Sequence, residues 1–267
     1  MPAAKPDPTV YRLAPEVLAT RLDSAQVFPR HSHETYGVGR MQRGAHRSWS
    51  AAGWVEAGPG DLLMVNPGEV HDGMPLDPAG RRWHMLYLTP ALVQAAAAEV
   101  LPEGRPMPMW RPVARDAVVA RAFERWYARL AGRAQRLACD EAQATLLSAL
   151  LLRQAQVSAP RWTSPSIARA RQRLDDDPAT DPGLDALAQE AGLSRFQLLR
   201  AFARELGMTP HAYLVQRRLA LARSLLDAGE PIAEAALAAG FSDQSHLTRA
   251  FRRCLGYTPA AYSGARR

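Results

Sequence analysis

Short apolar runs broken by glycine and proline fill the first third of the chain, and long runs with apolar residues at three- and four-residue steps fill the rest. Between Tyr11 and Leu88 the segments Tyr36–Met41, Asp61–Val65 and Trp83–Leu88 are strand-length, and Gly37, Gly39, Gly44, Gly53, Gly58, Gly60, Gly68, Gly73 and Gly80 punctuate the region. Many short strands at close spacing predict a β sandwich or barrel. Helical periodicity then covers Pro90–Val100, Val113–Leu130 and Ala138–Val157. Ser158–Pro165 is short, polar and proline-bearing, as a linker is, and everything after it is patterned as helix. The pattern predicts a two-domain α+β chain: a β-barrel over residues 1–89, a helical connector or dimerisation region over 90–160, and an all-α domain over 161–267.

The last part contains one unit twice. Phe202–Tyr213 aligns with Phe251–Tyr262 through shared Phe, Leu-Gly, Thr-Pro and Ala-Tyr positions, and Ala191–Ser194 aligns with Ala239–Ser242 upstream. The second copy holds one extra residue in the turn that starts its second helix. In the first copy Leu184, Leu187 and Ala188 form an apolar edge, and Gly192 can take the positive φ that stops a helix sharply. Ser194 and Gln197 then spell a capping box, and Thr209-Pro210 restarts the chain as N-cap and first helical residue. Ile232, Leu237, Gly240, Phe241 and Ser242, then Thr258-Pro259, repeat the scheme. A helix, a glycine-bearing turn and a second helix make a helix-turn-helix.

Leu198, Phe202 and Leu206 form a core stripe on the second helix of the first unit, as do Leu247, Phe251 and Leu255 on that of the second. The opposite faces carry Arg195, Phe196, Leu199, Arg200 and Arg204, and Gln244, Ser245, Thr248, Arg249 and Arg252. Each of these stretches has three arginines and no acid between Arg195 and Arg204 and between Gln244 and Arg253. Arg and Gln hydrogen-bond guanine and adenine edges in the major groove, and Ser and Thr serve bases or phosphates. Arginine also decorates ordinary solvated helices; the duplicated turn chemistry and the basic end Arg266-Arg267 favour DNA. The helix from about Pro210 to Leu226, roughly 25 Å long at about 1.5 Å per residue, would set the two readers about one duplex turn apart, in adjacent major grooves.

From Leu184 to Tyr262 the chain resembles the DNA-binding domain of the AraC/XylS family of transcription regulators, through Gly240–Ser242 and Gly256–Tyr262 above all. The resemblance implies DNA contacts from Arg195, Phe196, Leu199 and Arg200 and from Gln244, Ser245, Thr248 and Arg249; Leu199 departs from the polar residue usual there. It also implies a homodimer, with RNA polymerase as a further partner.

Composition bounds the rest. Of 267 residues, 47% are hydrophobic and 22% charged, which excludes a disordered chain, and the net charge of +7 suits a polyanionic partner. No apolar run of about eighteen residues predicts a membrane span. The first residues, with Pro2, Pro6 and Pro8, do not read as a secretory signal. Cys139 and Cys254 are isolated, as in a reducing compartment, and a cytoplasmic protein is expected.

The front half has its own constellation: His31-Ser-His33-Glu34, and later Gly60 to His71. The pair resembles the two motifs of cupin barrels, although the glutamate that metal-binding cupins carry after the paired histidines is absent at the usual spacing. Three readings stand open. His31, His33, Glu34 and His71, with Trp49 and His84, line a small-molecule effector pocket; or His31, His33 and His71 hold a divalent metal such as zinc; or the histidines are structural. The favoured function is DNA-binding transcription control gated by an effector, without enzyme activity. The rival is a metal-dependent cupin enzyme fused to a nucleic-acid-binding domain. The ridge Leu146, Leu147, Leu150 and Leu151 faces either a second copy of the chain or the barrel.

Overall fold

The structure is a computed structural model that describes residues 8–50, 52–102, 107, 109–132, 135–156 and 163–265. Its strands are β1 (Thr9–Ala14), β2 (Val17–Ser24), β3 (Phe28–His31), β4 (Tyr36–Arg43), β5 (His46–Ser50), β6 (Gly53–Ala57), β7 (Leu62–Val65), β8 (His71–Pro75), β9 (Arg81–Leu88), β10 (Met109–Trp110), β11 (Val113–Ala114) and β12 (Ala155–Gln156). Its helices are α1 (Pro90–Val100), α2 (Ala117–Ala131), α3 (Arg136–Arg153), α4 (Pro165–Asp176), α5 (Gly183–Ala191), α6 (Arg195–Leu206), α7 (Pro210–Ala228), α8 (Ile232–Ala238), α9 (Gln244–Leu255) and α10 (Pro259–Gly264). The chain divides into two compact units, the first holding every strand but β3, with α1–α3, and the second holding β3 with α4–α10.

In the first unit a six-stranded sheet runs in the order β1-β2-β9-β4-β7-β11, and a second sheet holds β8, β5 and β6 in that order. Side chains alternate across a strand. On β9, Arg81, Trp83, Met85 and Tyr87 share one face, and Arg82, His84, Leu86 and Leu88 the other. The second face meets the helices: Val38, Leu62, Leu86 and Leu88 share a core with Phe123 and Trp126 of α2 and Leu146 and Leu150 of α3. The first face is crowded at its centre, because Gly37 and Gly39 of β4 leave room that the Met85 side chain takes.

The periodic run starting at Val113 is not helix from its first residue. Val113 and Ala114 pair with Leu63 and Leu62 as an edge strand. The helix begins only after Asp116, whose carboxylate accepts from the Val118 and Val119 amides as N-cap. The leucine ridge of α3 is decided by burial. Leu146, Leu147, Leu150 and Leu151 are at most 3% exposed within the unit's own core, so this ridge is buried inside the unit and not against a second copy.

In the second unit the expected linker is shorter than its composition suggests. Residues 157–162 lie outside the described residues, while Ser164 caps α4 and Pro165 is its first residue. Ile167, Ala170 and Leu174 of α4 join Leu187, Ala191, Leu198, Phe202 and Leu214 in one core. The first helix-turn-helix forms as its punctuation predicts. Gly192 stands at φ 67°, and Ser194 and Gln197 close both bonds of the capping box. The second differs in two details. Its extra turn residue moves the N-cap from Ser242 to Asp243, whose carboxylate accepts from the His246 amide at 2.7 Å. Leu237 is 62% exposed, and α8 packs instead through Ala235 and Ala236.

Candidate nucleic-acid interface and effector site

Amphipathic spacing turns α6 and α9 so that one stripe of each is core and the other is solvent. Leu198 and Phe202 are fully buried, and Arg195, Phe196, Gln197, Arg200, Ala203 and Arg204 are exposed. On α9, Leu247 and Phe251 are fully buried, and Gln244, Ser245, Arg249, Arg252 and Arg253 are exposed. Leu199 and Thr248 occupy matching half-buried flanks. All the residues expected to touch DNA therefore lie on the solvent side or its edge.

Within α6 Glu205 pairs with Arg204 at 3.1 Å, and neighbouring segments add an acid beside each reader. Asp185 of α5 pairs with Arg195 at 3.0 Å, and Asp243 caps α9. Sequence distance hid the first, since Asp185 sits on the preceding helix. The Asp243 carboxyl is held below its usual range, chiefly by the His246 amide and then by the Ser242 hydroxyl. A negative charge at a helix start also complements the helix dipole.

The effector constellation forms in part. The His33 ring lies 5.1 Å from that of His71 and 5.2 Å from that of Tyr87. His31 belongs to the segment Phe28–Ser32, which groups with the second unit, while His33 and His71 belong to the first. His31 Nδ1 lies 2.7 Å from the Pro29 carbonyl and His71 Nδ1 3.0 Å from the Glu69 carbonyl. A carbonyl only accepts, so both rings donate from Nδ1 and turn Nε2 toward any ligand. Burial pushes the His71 imidazole down to about 4, leaving it neutral at pH 7. A neutral imidazole so held fits a divalent cation as well as a hydrogen-bonding organic molecule.

The other expected residues go elsewhere. Glu34 is exposed beside buried His33. His84 faces the helices, its ring stacked on Tyr127 of α2 with centroids 4.4 Å apart. Trp49 pairs across the hairpin with Trp54, which is 59% exposed, on the face that carries the Arg47–Glu56 ion pair. Two further residues take the interior instead: His46, which the sequence leaves between cavity and surface, and Arg81, which it does not mark. His46 shares a face of β5 with buried Ser48 and Ser50, and its Nδ1 accepts from Arg81 Nε at 2.8 Å. Arg81 is fully buried, lies over the Trp83 ring at 4.7 Å, and donates from Nη1 to the Gln26 carbonyl. Alternation along His46–Ser50 could have found the first; no local signal marks the second.

Comparisons with known proteins agree with this geometry. Residues 15–150 match the AraC-like ligand binding domain and residues 187–265 a helix-turn-helix domain. The chain is 28% identical over 225 residues to the HTH-type transcriptional regulator YbfI of Bacillus subtilis (strain 168), covering 83% of this chain and 82% of that protein. It is 30% identical over 87 residues to the HTH-type transcriptional regulator MtrA of Neisseria gonorrhoeae, covering 32% of this chain and 29% of that protein. Among solved structures, apo ToxT from Vibrio cholerae strain SCE256 shares the fold with a TM-score of 0.59 at 11% identity, over 94% of this chain and 98% of that one. The same protein bound to an unsaturated fatty acid gives 0.53 at 11% identity, over 94% of this chain and 95% of that one. Among the described residues no helix is long and apolar enough to cross a membrane. A ligand-binding domain followed by paired helix-turn-helix units makes this chain a member of the AraC family of transcription regulators.

Proposed function

We propose that α6 and α9 enter two successive major grooves of one duplex, and that a small organic effector reaching His33, His71, His46 and Arg81 biases this engagement. The observation that carries the reading is the pair of capped helices with equivalent outward faces, each centred on an arginine, Arg200 and Arg249. An effector can shift the regulator only by binding one of its arrangements better than another. Buried polar groups on an otherwise apolar sheet face are where such a ligand gains specificity. The fatty acid of the ToxT structure supports an organic ligand for the barrel. The paired rings of His33 and His71 also support a divalent metal as a resident structural ion, with His31 as the third ligand the sequence offers. For a second copy of the chain, the outward side of α3 offers Leu137 and Leu152, 71% and 68% exposed. RNA polymerase and a cytoplasmic setting belong to the same reading.

The test uses the full chain and a duplex enriched from a random pool. Affinity should fall steeply with salt, because each phosphate neutralised releases counterions. Arg249→Ala should weaken binding by roughly tenfold, about 1–3 kcal/mol for a base contact, and relax preference at one base pair. Unchanged affinity and unchanged preference would remove Arg249 from the interface.

A further inference from the structure

The repeat sets Phe196 opposite Ser245, Leu199 opposite Thr248 and Arg200 opposite Arg249. The central arginine is kept. Where the second reader carries two hydroxyls, the first carries two hydrocarbon side chains. Phe196 is 77% exposed on the first turn of α6, and large apolar side chains left in water mark contact surfaces. Leu199 turns to the flank, where it lines a groove with Leu184, Leu187 and Leu214.

Two polar neighbours of Phe196 have partners of their own. Gln197 accepts from the Ser194 amide in the capping box, and Arg195 pairs with Asp185. The first turn of α6 therefore offers a base edge a phenyl ring before anything else. On α9 the Gln244 amide and the Ser245 hydroxyl make no side-chain hydrogen bond among the described residues. In the major groove the thymine C5-methyl is the apolar group on a base edge, and phenyl contact with it is one of the standard readouts.

Resting on the reading that both helices enter major grooves, we infer that the two readers recognise bases by different chemistry: α6 selects thymine through its methyl group, with Phe196 as the discriminating residue, and α9 selects by hydrogen bonds.

The experiment removes methyls one at a time. The full chain is titrated against an enriched duplex in which each thymine in turn is replaced by deoxyuridine, which deletes the methyl and keeps every hydrogen-bonding group. Wild-type affinity should drop about fourfold for each methyl that Phe196 covers, the factor expected for one buried carbon. The sensitive positions should cluster in one half-site. Phe196→Ser, which copies the second reader, should bind thymine and deoxyuridine duplexes alike, while Arg249→Ala should lose affinity and keep the methyl dependence. Thermal melting of each variant separates a lost contact from a lost fold. Salt-sensitive binding with no methyl dependence in the wild type, or with the same dependence in Phe196→Ser, overturns the inference and leaves the DNA-reading function standing. A chain that enriches no duplex at all overturns both.

Discussion

An imidazole nitrogen that accepts a hydrogen bond cannot hold a proton, and Arg81 Nε donates to His46 Nδ1 at 2.8 Å. Burial, and then the Arg81 charge, push the His46 pKa from 6.5 down to about 3. The folded state therefore prefers the neutral ring, while the unfolded chain takes up a proton near pH 6.5. This contribution to stability is complete above about pH 6.5 and is lost progressively as pH falls toward 3, at up to roughly 1.4 kcal/mol per pH unit for one group. Thermal melts between pH 7 and 4.5 should show a falling midpoint, and His46→Gln, which can still accept from Arg81, should flatten the slope. An identical slope in the variant would assign the acid lability to other groups. The interior was only half legible at this scale. The resemblance to cupin motifs marks His33 and His71 as partners, but a chain carries no local trace of an arginine such as Arg81 folding against a tryptophan.

Turns decide the elements. Gly192 and Gly240 hold the same place in the two helix-turn-helix units, at φ 67° and 82°. Their surroundings differ: nothing lies near a Cβ added at Gly192, whereas one at Gly240 would overlap the Ala179 carbonyl. Gly192→Ala should cost about 1 kcal/mol, the backbone penalty alone. Gly240→Ala adds a clash with backbone and should cost roughly 3 kcal/mol or more, seen as a lower denaturation midpoint of the full chain. Equal losses at the two sites would mean that the Ala179 turn yields freely. Capping residues were readable in advance because a cap is a local bond, as at Ser194 and Thr209. Asp243 displaced Ser242 because a single inserted residue changes which side chain faces the first free amides. Likewise the edge strand Val113–Ala114 exists only because β7 leaves its edge open to it.

For the molecule as a whole, the expected histidine site is the place where a bound species would report on folding. A cation that binds only the folded chain raises its stability by mass action, about 2.7 kcal/mol at a hundredfold excess over the dissociation constant. If His31, His33 and His71 hold zinc, titrating zinc into the metal-free full chain should raise its melting midpoint, and His71→Ala should abolish the rise. A midpoint indifferent to zinc in the wild type would leave the cluster to an organic effector.

Periodicity, caps and duplication are local properties of a chain, so the sequence by itself determined the strand-rich front, the helical rear, the two helix-turn-helix units and the outward faces of α6 and α9. Each follows from residues within a turn or two of one another. Burial partners are chosen across long separations, by whichever packing excludes the most water. That is why only the tertiary structure decided that His84 stacks on Tyr127, that Trp49 faces outward, that the α3 leucines are buried in their own unit's core, and that His46 and Arg81 fill the interior.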